Sequence, residues 1–441
     1  MASKHQAITS WNSVRLSELT IANVTYGVVQ PGIDSPNGVP MVRVNNFSGH
    51  TLGLSNVMRI NPGIESKYKR TRLQSGDVLV TVVGSVGQVA IVPSALAGWN
   101  IARAVALIRP NHPDLSRWIA FVLRSPSAQH QLGITANTTV QTTINLKDLK
   151  ALSIPLPSRS TRAAICEVLG ALDDRIELLR ETNTTLEAIA QSLFQSWFVD
   201  FDPVRAKAEG LTPAGMDADT AVLFPSEFEE SELGLIPKGW RAGTLGDIST
   251  LNAESWSAKR SPDRIAYVDL SSVEKNQFSE LVEHDFSGAP SRARRILRDG
   301  DSIVGMVRPG NRAFAYIHQP PANLTGSTGF AVLSPHDKVA SGFIYLAATR
   351  NASIERLANL ADGGAYPAVR PDVVSATPII IPSDGALAAF GAIANPLLEK
   401  IAENGETARS LGELRDTLLP RLISGKLRLP ENEVAHEEAM S

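Results

Sequence analysis

The chain contains one pattern twice. Residues 116–198 align with residues 341–423 at a constant offset of 225, without a gap. Ser116 stands over Ser341, and Ile119 over Ile344. Leu152-Ser-Ile-Pro-Leu-Pro-Ser158 stands over Thr377-Pro-Ile-Ile-Ile-Pro-Ser383. Upstream, after small slips, Gly76-Asp77 matches Gly300-Asp301 and Trp11 matches Trp240. Each copy runs into a long stretch of helix-spaced apolar residues. A duplicated unit of globular segment plus long helix predicts a two-headed molecule with a helical spacer.

The first helical stretch carries Ile165, Leu169, Leu172, Ile176, Leu179, Asn183, Leu186, Ala190, Leu193 and Trp197. Their steps alternate between four and three, a heptad seam that keeps one face toward a partner helix. Asn183 is its polar member, and a lone seam Asn can fix register. Ser158 or Ser160 can cap the start by accepting free backbone N–H groups. About 37 residues would span roughly 55 Å, more than a small domain needs. The second seam is Phe390, Ala394, Leu397, Ile401, Asn404, Ala408, Leu411, Arg415, Leu418 and Leu422. Arg415 is a charged member, and Leu414 beside it offers an apolar substitute. Gly405 and Gly412 each weaken the helix by about 1 kcal/mol relative to Ala. Pro396 predicts a short helix, a kink with Asn395 as cap, and a longer piece to about Ile423. Two such helices in one chain can pair antiparallel.

The globular part of the first copy reads as short strands at Val39–Val44, Val78–Val83, Val89–Val92 and Ala104–Ile108, divided by Gly/Pro/Asn turns. Leu115–Arg124 has helix spacing. The mixture predicts an α+β fold with a barrel-like sheet in each head. The expected boundaries are a first head over 1–158, a central spacer helix over 159–200 and a linker over 201–235. A second head over 236–383, a distal helix over 384–428 and a disordered acidic tail over 429–441 complete the chain.

Composition narrows the function. A net charge of −3 weakly opposes a protein that binds DNA alone, unless positive charge is clustered or a partner supplies phosphate contacts. The single cysteine excludes an internal disulfide framework and fits a reducing cytoplasm. Cys166, beside Ile165, reads as an inert small residue. No apolar run reaches the length of a membrane span, and the N-terminus lacks a signal-peptide core. A cytoplasmic location is expected.

No catalytic motif is legible. Gly425-Lys426 lacks the first glycine and the hydroxyl of a phosphate-binding loop. The eight histidines show no ligand spacing, so no metal site is expected. Asp202-Pro203-Val204 and Asn395-Pro396-Leu397 fail the Asp/Asn-Pro-Pro-aromatic pattern of an amino-methyltransferase. Glu65-Ser66-Lys67 has nuclease-like spacing without the apolar strand that such a site needs. The chain reads as a non-enzyme that binds no cofactor of its own.

Charge recurs in matching places. Lys67, Lys69, Arg70 and Arg72 precede Gly76-Asp77, while Arg292, Arg294, Arg295 and Arg298 precede Gly300-Asp301. Either run alone reads as a solvated face, but their repetition points to phosphate contact. Strand tips differ between the copies. Asn45 and Asn46 in the first copy align with Ser271 and Ser272. The tip with Ser85 and Gln88 aligns approximately with Arg308, Asn311 and Arg312, and Thr138 to Gln141 falls near Tyr366. One framework with two sets of polar tips would read two different short base sequences. Ordinary loop divergence after duplication accounts for the variation equally well.

Four stretches carry a family resemblance. They are Leu152–Ser158, the helix ending Phe194-Gln-Ser-Trp-Phe-Val-Asp-Phe-Asp202, Gly234-Leu-Ile-Pro-Lys-Gly-Trp240, and Leu411–Leu427 with Leu419-Pro-Arg-Leu-Ile-Ser-Gly-Lys-Leu427. They closely resemble the specificity subunit of Type I restriction–modification systems. Members often carry Glu-Gln at the helix start, where this chain has Ser160-Thr-Arg-Ala163. The resemblance implies two target-recognition domains separated by two long helices paired as an antiparallel coiled coil. Each domain would read half of a bipartite, asymmetric site on double-stranded DNA, and the helices would set the gap. The helices would also dock two modification subunits, which bring S-adenosylmethionine. Restriction subunits would add ATP- and Mg-dependent translocation and cleavage. Two other readings are open: a coiled-coil scaffold with protein- or glycan-binding heads, and the recognition half of a fused methyltransferase on its own chain.

Overall fold

The computed structural model describes residues 11–54, 56–135, 137–138, 142–257, 259–279 and 281–429. The expected acidic tail lies almost wholly outside them. The chain divides into two compact units, residues 1–174 with 412–441, and residues 175–411. Each unit holds one head and a length of both long helices. Among the described residues no helix is long and apolar enough to cross a membrane.

In the first unit, Ser13–Arg15 pairs antiparallel with Ser153–Pro155, which ties the two ends of the head together. A four-stranded sheet runs in the order Thr25–Tyr26, Val105–Ile108, Val78–Thr81, Val89–Ile91. Its two central strands are buried on both faces, as their unbroken apolar runs dictate. Val78 and Val80 face the helix Leu115–Arg124, while Leu79 faces a second core with Leu73 and Leu96. A smaller sheet runs Met58–Ile60, Val39–Val42, Asn100–Ile101, its last pair parallel. Trp118 on the helix is fully buried and donates its indole N–H to the Pro155 carbonyl at 2.8 Å.

The second unit repeats this plan. Arg241–Thr244 pairs with Pro378–Ile381. A four-stranded sheet runs Ser249–Leu251, Phe330–Pro335, Ser302–Gly305, Phe314–Tyr316. A second sheet runs Val282–Asp285, Arg264–Val268, Leu324–Ser327, Ala293–Ile296, with the middle pair parallel. Each head thus splits its strands between two main sheets, where the sequence suggested one barrel-like sheet.

The long helices are Arg159–Phe198 and Asp384–Ile423, 40 residues each. Ser158 caps the first by accepting the Thr161 N–H at 3.1 Å. In the first unit Ile165 and Leu169 share a core with Leu419, Leu422 and Ile423. In the second unit Ala190, Phe194 and Trp197 share one with Phe390, Ala394, Leu398 and Ile401. The start of each helix lies with the end of the other, so the pair is antiparallel. Cys166 is buried, and burial pushes its thiol up to about 11, so it stays protonated.

Three expectations are corrected. The second helix runs through Pro396 as one element. Asn395 does not cap it: its side chain accepts the Gly342 N–H at 2.9 Å and donates to the Lys338 carbonyl at 3.2 Å. Fully buried Phe390, Ala394 and Leu398 supply packing that outweighs a helix-interior proline, which costs about 3 kcal/mol. Leu414 does not replace Arg415 in the seam, since Leu414 is exposed and Arg415 is ion-paired and mostly buried. Finally, residues 201–235 are not a bare linker. They form helices Asp202–Ala208 and Ala218–Val222 and most of a hairpin, Phe228–Ser231 with Gly234–Pro237. Phe201, Val204 and Phe224 are buried there, and Phe224 meets Trp197 edge-on at 5.0 Å. Scattered aromatics packed this stretch without any periodicity to announce it.

Candidate nucleic-acid interface

Each head brings two distant loops together at one tip. In the first head, Val83 bridges Thr143, and the Gly84 N–H donates to the Thr142 carbonyl at 3.0 Å. The turn after Val78–Thr81 therefore lies against the small hairpin Asn137–Thr138 with Thr142–Thr143. Thr81 stiffens the turn, donating its hydroxyl to the Ser85 carbonyl at 2.6 Å and accepting the Gln88 N–H at 2.9 Å. Gln129 donates to the Gly87 carbonyl at 2.9 Å from outside. Ser85 and Gln88 are exposed on this support. Thr138 lies in the hairpin, and Gln141 lies outside the described residues.

The second head makes the equivalent junction. Val307 bridges Ala368, and the Arg308 N–H donates to the Pro367 carbonyl at 2.7 Å. Arg308 is exposed and donates from Nη2 to the Ala365 carbonyl at 2.7 Å. Its guanidinium lies 4.6 Å from the centre of the Tyr366 ring, which is 71% exposed. Asn311 is exposed and Arg312 half-buried. This turn is one residue longer than its counterpart: Gly305 N–H meets the Ala313 carbonyl where Thr81 N–H meets that of Gln88. Arg312 therefore stands over Gly87, not over Gln88 as the sequence register suggested.

That shift exposes a difference. Gly84 and Gly87 have φ of 80° and 87°, while Arg308 and Arg312 have φ of 48° and 59°. The left-handed region is free to glycine and costs other residues on the order of 1 kcal/mol each.

The two basic runs occupy the same place in sequence but different structures. Lys67, Lys69 and Arg70 lie exposed on a 3-10 helix, Ser66–Thr71. Arg72 is held by buried Glu65 through two hydrogen bonds of 2.6 Å. Arg72's hydrogen bonds hold the Glu65 carboxyl below its usual range. In the second head the run follows the strand Ala293–Ile296. Arg292 is exposed, 3.7 Å from Asp269. Arg294 lies over the Phe286 ring at 4.9 Å. Arg295 is half-buried, donates to Ser255 at 3.2 Å and is pushed below its usual pKa by burial. Arg298 pairs with Glu254 at 2.9 and 3.1 Å. Asn45 is exposed, but Asn46 is buried, accepting the Arg43 N–H at 2.9 Å and donating to the Gly53 carbonyl at 3.3 Å. Both ends of its amide serve the turn.

Seam residues Ile165, Ile176, Leu179 and Trp197 of the first helix are buried, while Leu172, Leu186 and Leu193 are half-buried. On the second helix Ile401 is buried, and Leu397, Leu411 and Leu418 are half-buried. Between them Asn404 donates to Asn183 at 2.9 Å, and Asn183 donates to the Ile401 carbonyl at 2.9 Å.

Several buried polar groups escaped the sequence reading. Asp173 binds Arg124 at 2.5 Å and Arg415 at 2.9 Å. Burial would raise its pKa, but Arg124 and Arg415 hold it below the usual range. Burial, then Arg124 and Arg415, lowers nearby His50 to about 4. Tyr345 donates to Glu187 at 3.1 Å, and burial pushes that carboxyl up. A charged residue in a seam, such as Arg415, signals that a carboxylate must lie opposite. Nothing in the local sequence names Asp173 as that carboxylate.

Residues 10–188 match the family described as Type I restriction modification DNA specificity domain. The chain is 26% identical to the HindI specificity subunit of Haemophilus influenzae over 404 residues, 80% of this chain and 87% of that one. It is 34% identical to the EcoBI specificity subunit of Escherichia coli over 194 residues, 41% of each chain. The fold matches the crystal structure of a Type I restriction–modification S subunit from M. genitalium, with a TM-score of 0.54 at 17% identity. That match covers 95% of this chain and 97% of the other. Residues 10–188 thus match a Type I restriction modification DNA specificity domain, and the chain is similar along most of its length to a Type I restriction enzyme specificity subunit.

Proposed function

We propose that this chain is the non-catalytic subunit that reads DNA sequence for a Type I restriction–modification complex. Each head reads one half of a bipartite, asymmetric site on double-stranded DNA. The antiparallel helices set the gap and dock two modification subunits, with restriction subunits joining the assembly in the cytoplasm. S-adenosylmethionine belongs to the modification subunits, and ATP and Mg to the restriction subunits. The observation that carries this reading is the pair of tips. The same backbone junction, Val83 with Thr143 and Val307 with Ala368, presents Ser85 and Gln88 in one head and Arg308, Asn311 and Arg312 in the other. Identical framing with different donors and acceptors is what two half-site readers require. Lys67, Lys69 and Arg70, exposed beside the first head's paired Arg72, suit phosphate contacts that position without reading.

The test is a head exchange in the full operon. Residues 1–150 are replaced by the equivalent head of a related protein, and the host's methylated motif is sequenced. One half should change while the other half and the gap persist. A motif altered in both halves, or no bipartite motif at all, overturns the reading.

A further inference from the structure

The second head spends left-handed backbone on two arginines. The first head solves the same turn with Gly84 and Gly87. Stability alone would favour glycine at both places, since glycine adopts positive φ without strain. Strained non-glycine residues on an exposed tip point to a role for their side chains. Arg308 is also pre-set: Nη2 is tied to the Ala365 carbonyl, and its Cζ lies over the Tyr366 ring, 4.6 Å from the centre. A planar fork held in one orientation suits bidentate recognition of a phosphate or of a base edge, and a tip that differs between the two heads favours the base edge, since phosphates carry no sequence. In the major groove the matching acceptor pair is O6 and N7 of guanine.

We propose that Arg308 and Arg312 each read a guanine, so that the half-site of the second head contains G·C pairs at the two positions they face. Tyr366 is a positioning residue for Arg308. The inference rests on the half-site reading above. In the first head the equivalent stretches, residues 82–88 and 137–143, contain no arginine.

The test uses the full chain assembled with its modification subunits. The methylated motif and the binding of duplexes varied at each base are read for Arg308→Gly, Arg312→Gly and the matching Lys variants. Glycine suits the backbone at both positions, so folding is not at risk, and thermal unfolding verifies it. Each Gly variant should lower the preference for G·C at one position by roughly 5- to 150-fold. Both positions should fall in the same half, with the other half and the gap unchanged. Lys variants should lose the preference while keeping most of the overall affinity. Tyr366→Ala should weaken only the position read by Arg308, and Tyr366→Phe should retain it. Lys variants that read like the wild type, an unchanged motif, or a uniform loss at all sequences would make the arginines phosphate contacts and overturn the proposal. If the wild-type complex methylates no bipartite motif, it is the half-site reading that fails.

Discussion

The two units solve the same buried problem with opposite chemistry. In the gap-free register Arg124 stands over Thr349, Asp173 over Leu398, and Ala190 over Arg415. The first unit fills these places with a carboxylate between two cations, with Arg124 9%, Arg415 14% and Asp173 21% exposed. The second fills them with Thr349, Leu398 and Ala190, all buried. Both are internally consistent, since a buried charge must be paired and an apolar site needs only volume. The contrast teaches that the framework does not require the ions. Once two of them are present, the third becomes obligatory.

The largest expected effect breaks that obligation. Asp173→Ala strands the mostly buried Arg124 guanidinium and leaves Arg415 only its 2.8 Å pair with exposed Asp416, and should cost roughly 3–5 kcal/mol. Importing the second unit's solution, Arg124→Thr with Asp173→Leu and Arg415→Ala, should recover most of that loss, because well-packed apolar replacements of buried ion clusters are often neutral or stabilising. Hydrogen-exchange protection of first-unit amides in increasing urea measures both variants. A triple variant no more stable than Asp173→Ala would show that the ions are intrinsic to the first unit's packing.

The Gly-Asp corners sharpen the comparison, and here the sign should reverse. Asp77 accepts Arg109 Nε at 2.8 Å and Nη2 at 2.7 Å. At the place of Arg109 the second head has Ser334. Asp301 is almost fully buried with no ion pair to its carboxylate among the described residues, and burial pushes it from 3.8 up to about 6. Its folded form holds the proton more tightly than the unfolded chain does. Stability therefore falls as pH rises from about 4 to about 6, and the penalty persists above that. A shift of about two units corresponds to an upper bound of about 3 kcal/mol. Asp301→Asn should stabilise the second unit by up to about 3 kcal/mol at pH 8 and change little below pH 4. Asp77→Asn at pH 8 should instead cost about 1.5–3 kcal/mol, the worth of hydrogen bonds to a charged group. Unfolding of the two variants across pH reads both effects, and equal signs would mean that Ser334 does not distinguish the corners.

What the sequence revealed follows from what is local. The strand cores at Val78–Thr81 and Val105–Ile108 and the helix Leu115–Arg124 were legible because burial imposes periodicity within one element. Both long helices were legible for the same reason. Pro396 misled because its local cost is real and is offset only by Phe390, Ala394 and Leu398, whose burial depends on the head. Residues 201–235 misled in the opposite direction, since Phe201, Val204 and Phe224 pack one by one, without a repeat. At the tips the sequence located the loops, but a one-residue difference in turn length hid the match of Arg312 with Gly87. Only backbone hydrogen bonds show it. Whether a given cation is free is not legible either: Arg72 and Arg298 look like Lys67 in sequence, yet buried Glu65 and half-buried Glu254 hold them.

The smallest expected effect lies in the seam itself. Asn183 and Asn404 bond each other, and the duplication places Ala408 over Asn183 and Leu179 under Asn404. The chain thus already carries the apolar version of this pair, with Leu179 6% exposed. Asn183→Ala leaves the amide of Asn404, 6% exposed, without its acceptor and should cost about 1–2 kcal/mol. Asn404→Leu removes the donor but gains apolar burial, so about 0.5–1 kcal/mol is expected. The double variant should lie within about 0.5 kcal/mol of the wild type, because neither partner is then left unpaired. The resulting coupling of about 1–2 kcal/mol is within reach of a urea double-mutant cycle. Additive losses would mean that each Asn is held separately, Asn183 by its 2.9 Å bond to the Ile401 carbonyl. A full coupling with restored stability would leave register as the reason for the pair. An amide pair is satisfied in one alignment of the helices, whereas leucines accept several. If the spacer sets a gap between half-sites, as proposed above, one alignment is the property that matters. A complex assembled on the double variant should then methylate the same half-sites with a less sharply defined gap.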